Sequence, residues 1–319
     1  RRSACALYGV ARNKNMPQAT RDIKRRIKSV TNTKKVTKAM QMVAAAKMRK
    51  SVANVLASRS YAGLAWGLVK KLAERTNAKF HPLLKVRPTV KKIGLVLITS
   101  NRGLCGGFNN QIINKVIKFI RQEQSQTGVE ADLVVMGKKG REVMIKSGQK
   151  IIADFEKLDI TTAIEEIRPL VKLLINDYLL GKFDKVVIAY TDFISALAQK
   201  PRILQLLPLT RLSDDLYLGE VNEESTGQGQ DNLTSEYLFE PSPDKVLQDL
   251  LPRMLETMMY QAILESDASE HSARMVAMQN ATDAAKDMIS DLTLVFNKAR
   301  QSSITAELAD ISGGRAALE

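Results

Sequence analysis

Cysteine, histidine and long apolar runs are scarce in this 319-residue chain, and each shortage excludes a class of protein. The two cysteines, Cys5 and Cys105, are too few for a disulfide framework and lack the spacing of metal ligands. Two histidines cannot complete a conventional zinc site with such scattered cysteines. No stretch approaches the roughly 18 to 20 consecutive apolar residues of a membrane-spanning helix, so we expect membrane association only through partners.

Glycine and proline are absent from residues 18–62 and from residues 253–312, which predicts two unusually long helices. The first begins near Thr20 and extends for roughly 65 Å, and the second extends for roughly 90 Å before the glycine pair at 313 and 314. Helices of this length far exceed the usual three turns or so, so neither can be enclosed in a compact domain.

Both segments carry the residue spacing of a coiled coil. In the second, alternate steps of three and four residues connect Met254, Thr257, Gln261, Leu264, Ala268, His271, Met275, Met278, Thr282, Ala285, Ile289, Leu292, Phe296, Ala299, Ser303 and Ala306. The first has a similar repeat with an offset that resembles a stutter. Its members are Ile23, Ile27, Val30, Val36, Met40 and Val43, with Lys34 and Lys35 at the interruption.

The net charge of +14 is unevenly distributed. Residues 20–59 carry twelve basic side chains against one acid, whereas residues 244–319 carry twelve acids against seven basic side chains. Opposite charges favour pairing of the two segments, and their places at the two ends of the chain predict an antiparallel coiled coil around an intervening domain. Two separate amphipathic helices on a globule are the alternative.

The middle of the chain alternates short apolar runs with helical patterns. The runs at 93–99, 131–137 and 184–190 predict parallel strands, and the stretch at 201–209 predicts an edge strand. Helical patterns fall near 109–122, 139–147 and 161–180. We therefore predict a small, mostly parallel α/β sheet, followed by a loop that is rich in glycine, serine and acids.

The glycine-rich stretch "SNRGLCGGFNN" at 100–110 lies between a strand and a helix, where many phosphate-binding loops occur. It matches neither the dinucleotide fingerprint nor the P-loop, whose lysine it lacks. Gly106 and Gly107 are interpreted as a tight turn with positive φ, and Asn109 as a cap of the next helix. No catalytic constellation, cofactor site or metal site is predicted, although a nucleotide-using enzyme remains one hypothesis.

The basic first helix permits a second hypothesis, binding to nucleic acid through its phosphates. Residues 9–60 contain no aromatic side chain that could stack on bases, and no recognised motif accompanies the charge. A protein surface rich in Asp and Glu would satisfy the same charge.

Three stretches resemble the gamma subunit of the rotary F-type ATP synthases. They are "IKSVTNTKKVTKAMQMVAAAKMRK" (27–50), "SNRGLCGGFNN" (100–110) and "SEHSARMVAMQNATDAAKDMISDLTLVFNKARQSSITAEL" (269–308), and they occur in the family's order. The resemblance implies five regions: a basic segment (1–19), a coiled-coil helix (20–76), a Rossmann-like α/β domain (77–211), an acidic linker (212–243) and a second coiled-coil helix (244–319). It also implies a non-catalytic rotor shaft without a cofactor.

In that family the coiled coil stands inside a hexamer of alpha and beta subunits. The resemblance implies that Lys38 and Met40 face acidic loops of the beta subunits, and that four residues of the second helix make polar contacts with the hexamer: Arg274, Arg300, Gln301 and Thr305. Solvated positions on an exposed helix are the plainer interpretation of each residue taken alone. The looser match "YLFEP" (237–241) resembles the foot of the shaft near the membrane ring.

The resemblance further implies partners and a location. The partners are the alpha/beta hexamer, an epsilon-type or delta-type foot subunit and the membrane c-ring, with one copy of the chain per complex and no nucleic acid. The first 19 residues contain Arg and Lys but no acid, as organellar targeting sequences do, which favours the matrix side of the mitochondrial inner membrane. A basic arm without a targeting role is the alternative interpretation of this segment. The cytoplasmic side of a bacterial plasma membrane is the alternative. The cysteine pair that regulates plastid members is absent.

Overall fold

The computed structural model describes residues 18–75, 81–85, 87, 89–160, 163–209 and 242–316. In chain order the elements are α1 (Gln18–Arg75), β1 (Lys92–Ile98), α2 (Phe108–Thr127), β2 (Glu130–Met136), α3 (Lys138–Lys146), β3 (Ile151–Phe155), a 3₁₀-helix (Ile164–Glu166), α4 (Arg168–Leu179), β4 (Lys185–Phe193), β5 (Gln199–Leu207) and α5 (Pro243–Ala316). None of the described helices is both long enough and apolar enough to span a bilayer. The predictions for the segment before residue 18, for the linker up to residue 241 and for "YLFEP" lie outside the described residues.

The chain divides into two compact units. The helical unit comprises Arg1–Met42 and Ala277–Glu319, and the mixed unit comprises Val43–Val276. The described part of the helical unit contains only the beginning of α1 and the end of α5. The mixed unit contains the sheet, the shorter helices and the remainder of the two long helices.

A five-stranded sheet in the order β3-β2-β1-β4-β5 forms the centre of the mixed unit. β1 is parallel to β2 and β4, β2 is parallel to β3, and β5 runs antiparallel to β4. The prediction of a mostly parallel sheet with an edge strand near 201–209 is confirmed. Strand β3 was not predicted, because its residues alternate between half-buried and exposed and so lack the continuous apolar run of a central strand.

Helices cover both faces of the sheet and create two apolar layers. Helices α2 and α3 cover one face, where Ile112, Val116 and Met144 are completely buried. Helix α4 and the start of α5 cover the other face, with Leu170 and Leu251 among the buried residues. The helices predicted near 109–122 and 139–147 are confirmed. The one predicted at 161–180 begins only at residue 168, after the 3₁₀-helix, and residues 161–162 are not described.

Helix α5 is longer than the absence of glycine and proline predicted. It begins at Pro243, continues through Pro252 and the glycines at 313 and 314, and ends at Ala316. A proline inside a helix costs about 3 kcal/mol. Burial of Leu251 and Leu255 against the sheet offsets this, since each buried leucine contributes about 1.5–3 kcal/mol. Tertiary packing therefore outweighs the local signal at Pro252.

In the mixed unit, α1 and α5 pack against each other in opposite directions. Val55 packs with Leu264 and Ala268, whereas Ser58, further along α1, lies beside Thr257, which comes earlier in α5. The antiparallel coiled coil predicted for the two ends of the chain is confirmed here, and the alternative of separate helices on a globule is wrong.

The buried stripe of α1 is continuous, so the predicted stutter is wrong. Steps of three and four residues connect its buried and half-buried positions: Thr20, Ile23, Ile27, Val30, Lys34, Thr37, Gln41, Ala44, Met48, Ser51 and Val55. Val36 and Val43, which were assigned to the seam, are 57% and 56% exposed. Apolar residues misled the prediction because small and polar residues, and the stem of a lysine, occupy the seam instead.

The predicted seam of α5 is confirmed over most of its length. Its positions are buried or half-buried as far as Ser303, and the last one, Ala306, is exposed. In the helical unit a polar contact joins the two helices across the seam, where the hydroxyls of Thr37 and Thr282 lie 2.8 Å apart. Small buried residues of this kind allow two helices to approach closely.

Candidate functional site

The glycine-rich turn after β1 is organised around the side chain of Asn109. Its Oδ1 accepts the N–H of Ser100 at 3.0 Å, and its Nδ2 donates to Ser100 Oγ at 2.7 Å. The Ser100 hydroxyl donates to the carbonyl of Arg102 at 2.7 Å. The predicted capping of α2 by Asn109 is wrong, because the cap position is Gly107, which has no side-chain bond. The amide instead ties the first turn of α2 to the end of β1.

Two residues of this turn have a left-handed backbone, Leu104 with φ 64° and Gly106 with φ 56°. The prediction of positive φ holds for Gly106 but not for Gly107, whose φ is −81°. A left-handed conformation costs a residue other than glycine roughly 1–2 kcal/mol. Since side chains of the same chain engage the polar groups of the turn, it acts as a fixed structural element.

Arg274, from α5, contacts the carbonyl groups of this turn. Its Nη2 lies 3.2 Å from the carbonyl oxygen of Arg102 and 3.5 Å from that of Gly103. The same guanidinium pairs with Glu270 at 2.9 Å, and its side chain is only 12% exposed. Arg274 therefore joins α5 to the glycine-rich turn within the mixed unit. Its predicted contact with a partner protein stays a prediction.

A buried lysine lies beside this arginine. Lys157 follows β3, and its side chain is 2% exposed. Its Nζ lies 3.0 Å from Asp267 Oδ1 and 2.5 Å from Glu270 Oε2. Its carbonyl accepts a hydrogen bond from Asn101 Nδ2. Two cations and two carboxylates, all of them largely buried, thus connect the carboxyl ends of β1 and β3 to α5. We call this set the ionic cluster (Lys157, Asp267, Glu270 and Arg274).

The charges of the ionic cluster stabilise one another. Burial opposes the charged form of Lys157, but the carboxylates of Glu270 and Asp267 outweigh burial and raise the pKa of its ammonium group. Burial likewise opposes ionised Glu270, but Lys157 and Arg274 outweigh it and hold the pKa of its carboxyl below the ordinary value. Lys157 and Glu270 are therefore expected to be charged at neutral pH, and removal of either leaves a buried charge without its partner.

His271 extends the contacts to α1. Its Nε2 lies 2.8 Å from the carbonyl oxygen of Asp159, and the carboxylate of Asp159 pairs with Lys47 of α1 at 2.8 Å. A carbonyl only accepts, so Nε2 carries the proton and Nδ1 faces Arg274 Nη1 at 3.4 Å. Burial lowers the pKa of His271, which favours the neutral ring.

The other predicted site residues lie in the helical unit. Lys38 is exposed, and its ammonium group donates to Gln41 Oε1 at 3.1 Å, while Met40 is half-buried. Arg300, Gln301 and Thr305 are all exposed on the last part of α5, where the Thr305 hydroxyl donates to the carbonyl of Gln301. Arg274, by contrast, belongs to the mixed unit.

Sequence reasoning missed Lys157, Asp267 and Glu270. Lys157 and Glu270 are 113 residues apart, and the sequence shows no pattern that would pair them. One sequence signal was available, because acids and serines are mixed into residues 261–270 of the predicted helix. The structure shows that all ten of these residues are buried. Across the described ranges, no group of three or more His, Cys, Asp or Glu side chains is placed to hold a metal ion.

Comparison with known proteins gives a consistent result. Residues 19–318 match the family model described as ATP synthase. The chain is 40% identical over 307 residues to the ATP synthase gamma chain of Herpetosiphon aurantiacus, which covers 94% of this chain and 99% of the relative. It is 43% identical over 298 residues to the ATP synthase gamma chain of Heliobacterium modesticaldum, covering 93% and 98%.

A solved structure has the same fold. A chain of the Euglena gracilis mitochondrial ATP synthase, determined with OSCP, F1 and the c-ring in rotational state 3, superposes with a TM-score of 0.62. The match covers 94% of each chain at 18% sequence identity. At that identity the likeness concerns the fold, which combines long terminal helices with an α/β sheet.

Proposed function

Because this chain belongs to the ATP synthase gamma chain family, we propose that it is the central rotor shaft of a proton-driven F-type ATP synthase. Its rotation couples the turning of a membrane c-ring to ATP synthesis and hydrolysis in a hexamer of alpha and beta subunits. The match along residues 19–318 is the observation that carries the proposal. The shaft has no catalytic site of its own in this proposal, and the nucleotides bind to the hexamer.

The paired helices supply the physical basis for coupling. A rotating shaft changes the nucleotide affinity of a catalytic subunit only if it contacts that subunit differently at different angles. The basic segment of α1 and the exposed polar residues near the end of α5 give the two helices different surfaces. We assign the contacts with the hexamer to Lys38, Met40, Arg300, Gln301 and Thr305, whose side chains are exposed or half-buried in the helical unit.

Besides its predicted contact with the hexamer, we assign Arg274 a second part in the same function. Its guanidinium is engaged by Glu270 and by the carbonyl groups of the glycine-rich turn. Together with Lys157 it fixes α5 to the sheet of the mixed unit. Torque applied to that unit would then reach α5 through buried ion pairs as well as apolar packing.

The mixed unit is proposed as the foot of the shaft, where an epsilon-type or delta-type subunit and the c-ring bind. One copy serves each complex, and the chain associates with the membrane only through these partners. We propose the matrix face of the mitochondrial inner membrane as the location, on the basis of the acid-free basic segment 1–19. The bacterial relatives support the alternative, the cytoplasmic face of a plasma membrane. Import of the labelled chain into isolated mitochondria separates the two.

Reconstitution tests the proposal. ATP hydrolysis is measured in three samples. They are purified alpha and beta subunits with this chain, the same subunits without it, and this chain alone. We expect sustained turnover and one large co-eluting complex only in the three-component mixture. If the chain does not stimulate ATP hydrolysis by folded alpha and beta subunits, the rotor assignment is contradicted. Salt-sensitive binding of the chain to duplex DNA would then favour the nucleic-acid hypothesis.

Charge reversal tests the assigned contacts in the assembled, membrane-bound enzyme. Lys38→Glu combined with Arg300→Glu should lower the amount of proton pumping per ATP hydrolysed, while assembly is retained. The matched control combines Lys28→Glu with Lys286→Glu, which reverses one other exposed charge on each of α1 and α5. Equal coupling ratios in the two variants would show that the assignment of Lys38 and Arg300 is wrong.

A further inference from the structure

A basic groove runs along the margin of the sheet, beside the edge strand β5. It encloses about 650 Å³ between the outer surface of α2 and strands β4 and β5. Phe119, Val187 and Ile203 supply apolar side chains. Among the described residues that line it, the charged ones are all basic: Lys115, Lys118, Lys185, Lys200 and Arg202. This described lining is suited to an anionic occupant.

Three of these cations have no ion pair within the described part of the chain. Lys118 and Lys200 are exposed, Lys185 is half-buried, and none lies within 4.0 Å of a described carboxylate. Other lysines of the mixed unit do form such pairs, for example Lys150 with Asp132 at 2.8 Å. The groove therefore brings several unpaired positive charges together at one place.

The backbone of β5 offers hydrogen-bonding groups at the same place. Pro201 lies opposite Thr191 in the ladder, and a proline has no N–H with which to complete a hydrogen-bonded pair. Its carbonyl points away from β4 and accepts a bond from Lys115 Nζ at 2.7 Å. By alternation along the strand, the N–H and C=O of Ile203 point the same way. Within the described residues, no strand pairs with β5 on that side.

From these observations we infer that the groove binds an extended acidic segment of another protein, which adds to the sheet as a strand beside β5. Backbone bonds to the edge supply binding, and side-chain alternation supplies specificity. Every second side chain of the added strand would lie on the sheet face of Lys118 and Lys185, so Asp or Glu at alternate positions fits the groove. Nucleic acid fits less well, because the described residues supply a single aromatic side chain to the lining, Phe119, which is half-buried.

The probe is a fluorescent ten-residue peptide of alternating Glu and Val, titrated against the intact chain and followed by fluorescence anisotropy. The substituted chain carries Lys118→Gln, Lys185→Gln and Lys200→Gln. We expect its affinity to be about tenfold weaker, as for the loss of three exposed charge contacts, and we expect wild-type binding to weaken with added salt.

A matched control removes the same number of charges elsewhere in the mixed unit. It carries Lys138→Gln, Lys146→Gln and Lys172→Gln, all at exposed positions of α3 and α4. This control should bind the peptide as the wild type does. If both triple variants bind the peptide equally more weakly than wild type, the effect comes from the overall charge of the chain. That result would overturn the assignment of binding to the groove.

Two further probes separate strand addition from plain electrostatics. A peptide with N-methyl groups on alternate backbone amides keeps every carboxylate but cannot complete the bonds to the edge strand, so it should bind at least tenfold more weakly. Unchanged affinity of the methylated peptide would overturn strand addition. A single-stranded oligonucleotide or an anionic lipid vesicle that binds more tightly than the peptide, and loses binding in the Lys118, Lys185 and Lys200 variant, would overturn the protein partner.

Discussion

Replacement of Lys157 with methionine should destabilise the mixed unit strongly. Methionine keeps much of the apolar stem but removes the ammonium group that lies 3.0 Å from Asp267 and 2.5 Å from Glu270. Lys157 and Asp267 are 2% and 1% exposed, so water cannot replace the lost partner. Removal of one member of a buried ion pair costs about 3–5 kcal/mol, which is the expected loss in the free energy of unfolding.

The assay is urea-induced unfolding of the purified chain, followed by circular dichroism, beside a matched control. Lys139→Met removes a lysine that also forms an ion pair, with Glu142 at 2.8 Å, but whose side chain is 39% exposed. Solvent screens an exposed pair, so the control should unfold at nearly the same urea concentration as wild type. The contrast between the two variants isolates burial from the mere loss of a charge.

The dependence on pH gives a second, independent signature. In wild type the pKa of Glu270 is lowered, so its ionised form contributes stability above the unfolded pKa, and this is lost as pH falls through the folded pKa. Without Lys157, burial is opposed mainly by Arg274, and the pKa of Glu270 should rise. The stability difference should then be largest near pH 7 and shrink towards pH 4. A loss of unfolding free energy below about 1 kcal/mol, or a loss that does not change with pH, would refute the role given to the ionic cluster.

Three further predictions concern backbone strain, histidine and the helix seam. Gly137→Ala should cost more than Gly148→Ala in unfolding free energy, because both glycines have positive φ but only at Gly137 would a Cβ lie 2.3 Å from a carbonyl oxygen. Because the pKa of His271 is lowered in the folded state, this side chain is protonated first in the unfolded state as pH falls. The free energy of unfolding should therefore decrease as pH drops below about 6.5. In urea titrations, His271→Gln should make this decrease smaller. Val36→Gln should change stability by about 0.5 kcal/mol or less, whereas Ala44→Gln, in the seam, should cost at least about 2 kcal/mol; equal effects would contradict the continuous stripe.

The sheet was predictable because its signals are local. Three central strands are continuous apolar runs, and burial on both faces of a sheet requires that pattern. The edge strand β3 was missed, since its half-exposed residues need no such run. The extension of α5 through Pro252 was missed for the opposite reason, because a long-range contact with the sheet outweighs a strong local signal.

The candidate site was only partly predictable. Lys38 and Arg300 were identified through resemblance, and their exposure in the helical unit is compatible with contact with a partner. The ionic cluster was not identified, because Lys157 becomes notable only when the fold brings it to Glu270. The helix seam of α1 was misplaced, since Val36 is apolar yet exposed, whereas Thr37 is polar yet buried. Apolar character alone does not identify the face of a helix that pairs with another helix.

Rotation observed in single molecules tests the central claim most directly. Leu197 lies in the mixed unit and is 82% exposed, so Leu197→Cys offers an attachment point for a bead, while Cys105 is buried and Cys5 is replaced by serine. The alpha/beta hexamer is fixed to a surface, this chain is assembled into it, and ATP is added. The rotor assignment predicts that the bead turns in one direction, with one pause for each catalytic subunit. A bead that only fluctuates, on complexes that hydrolyse ATP at full rate, would contradict it.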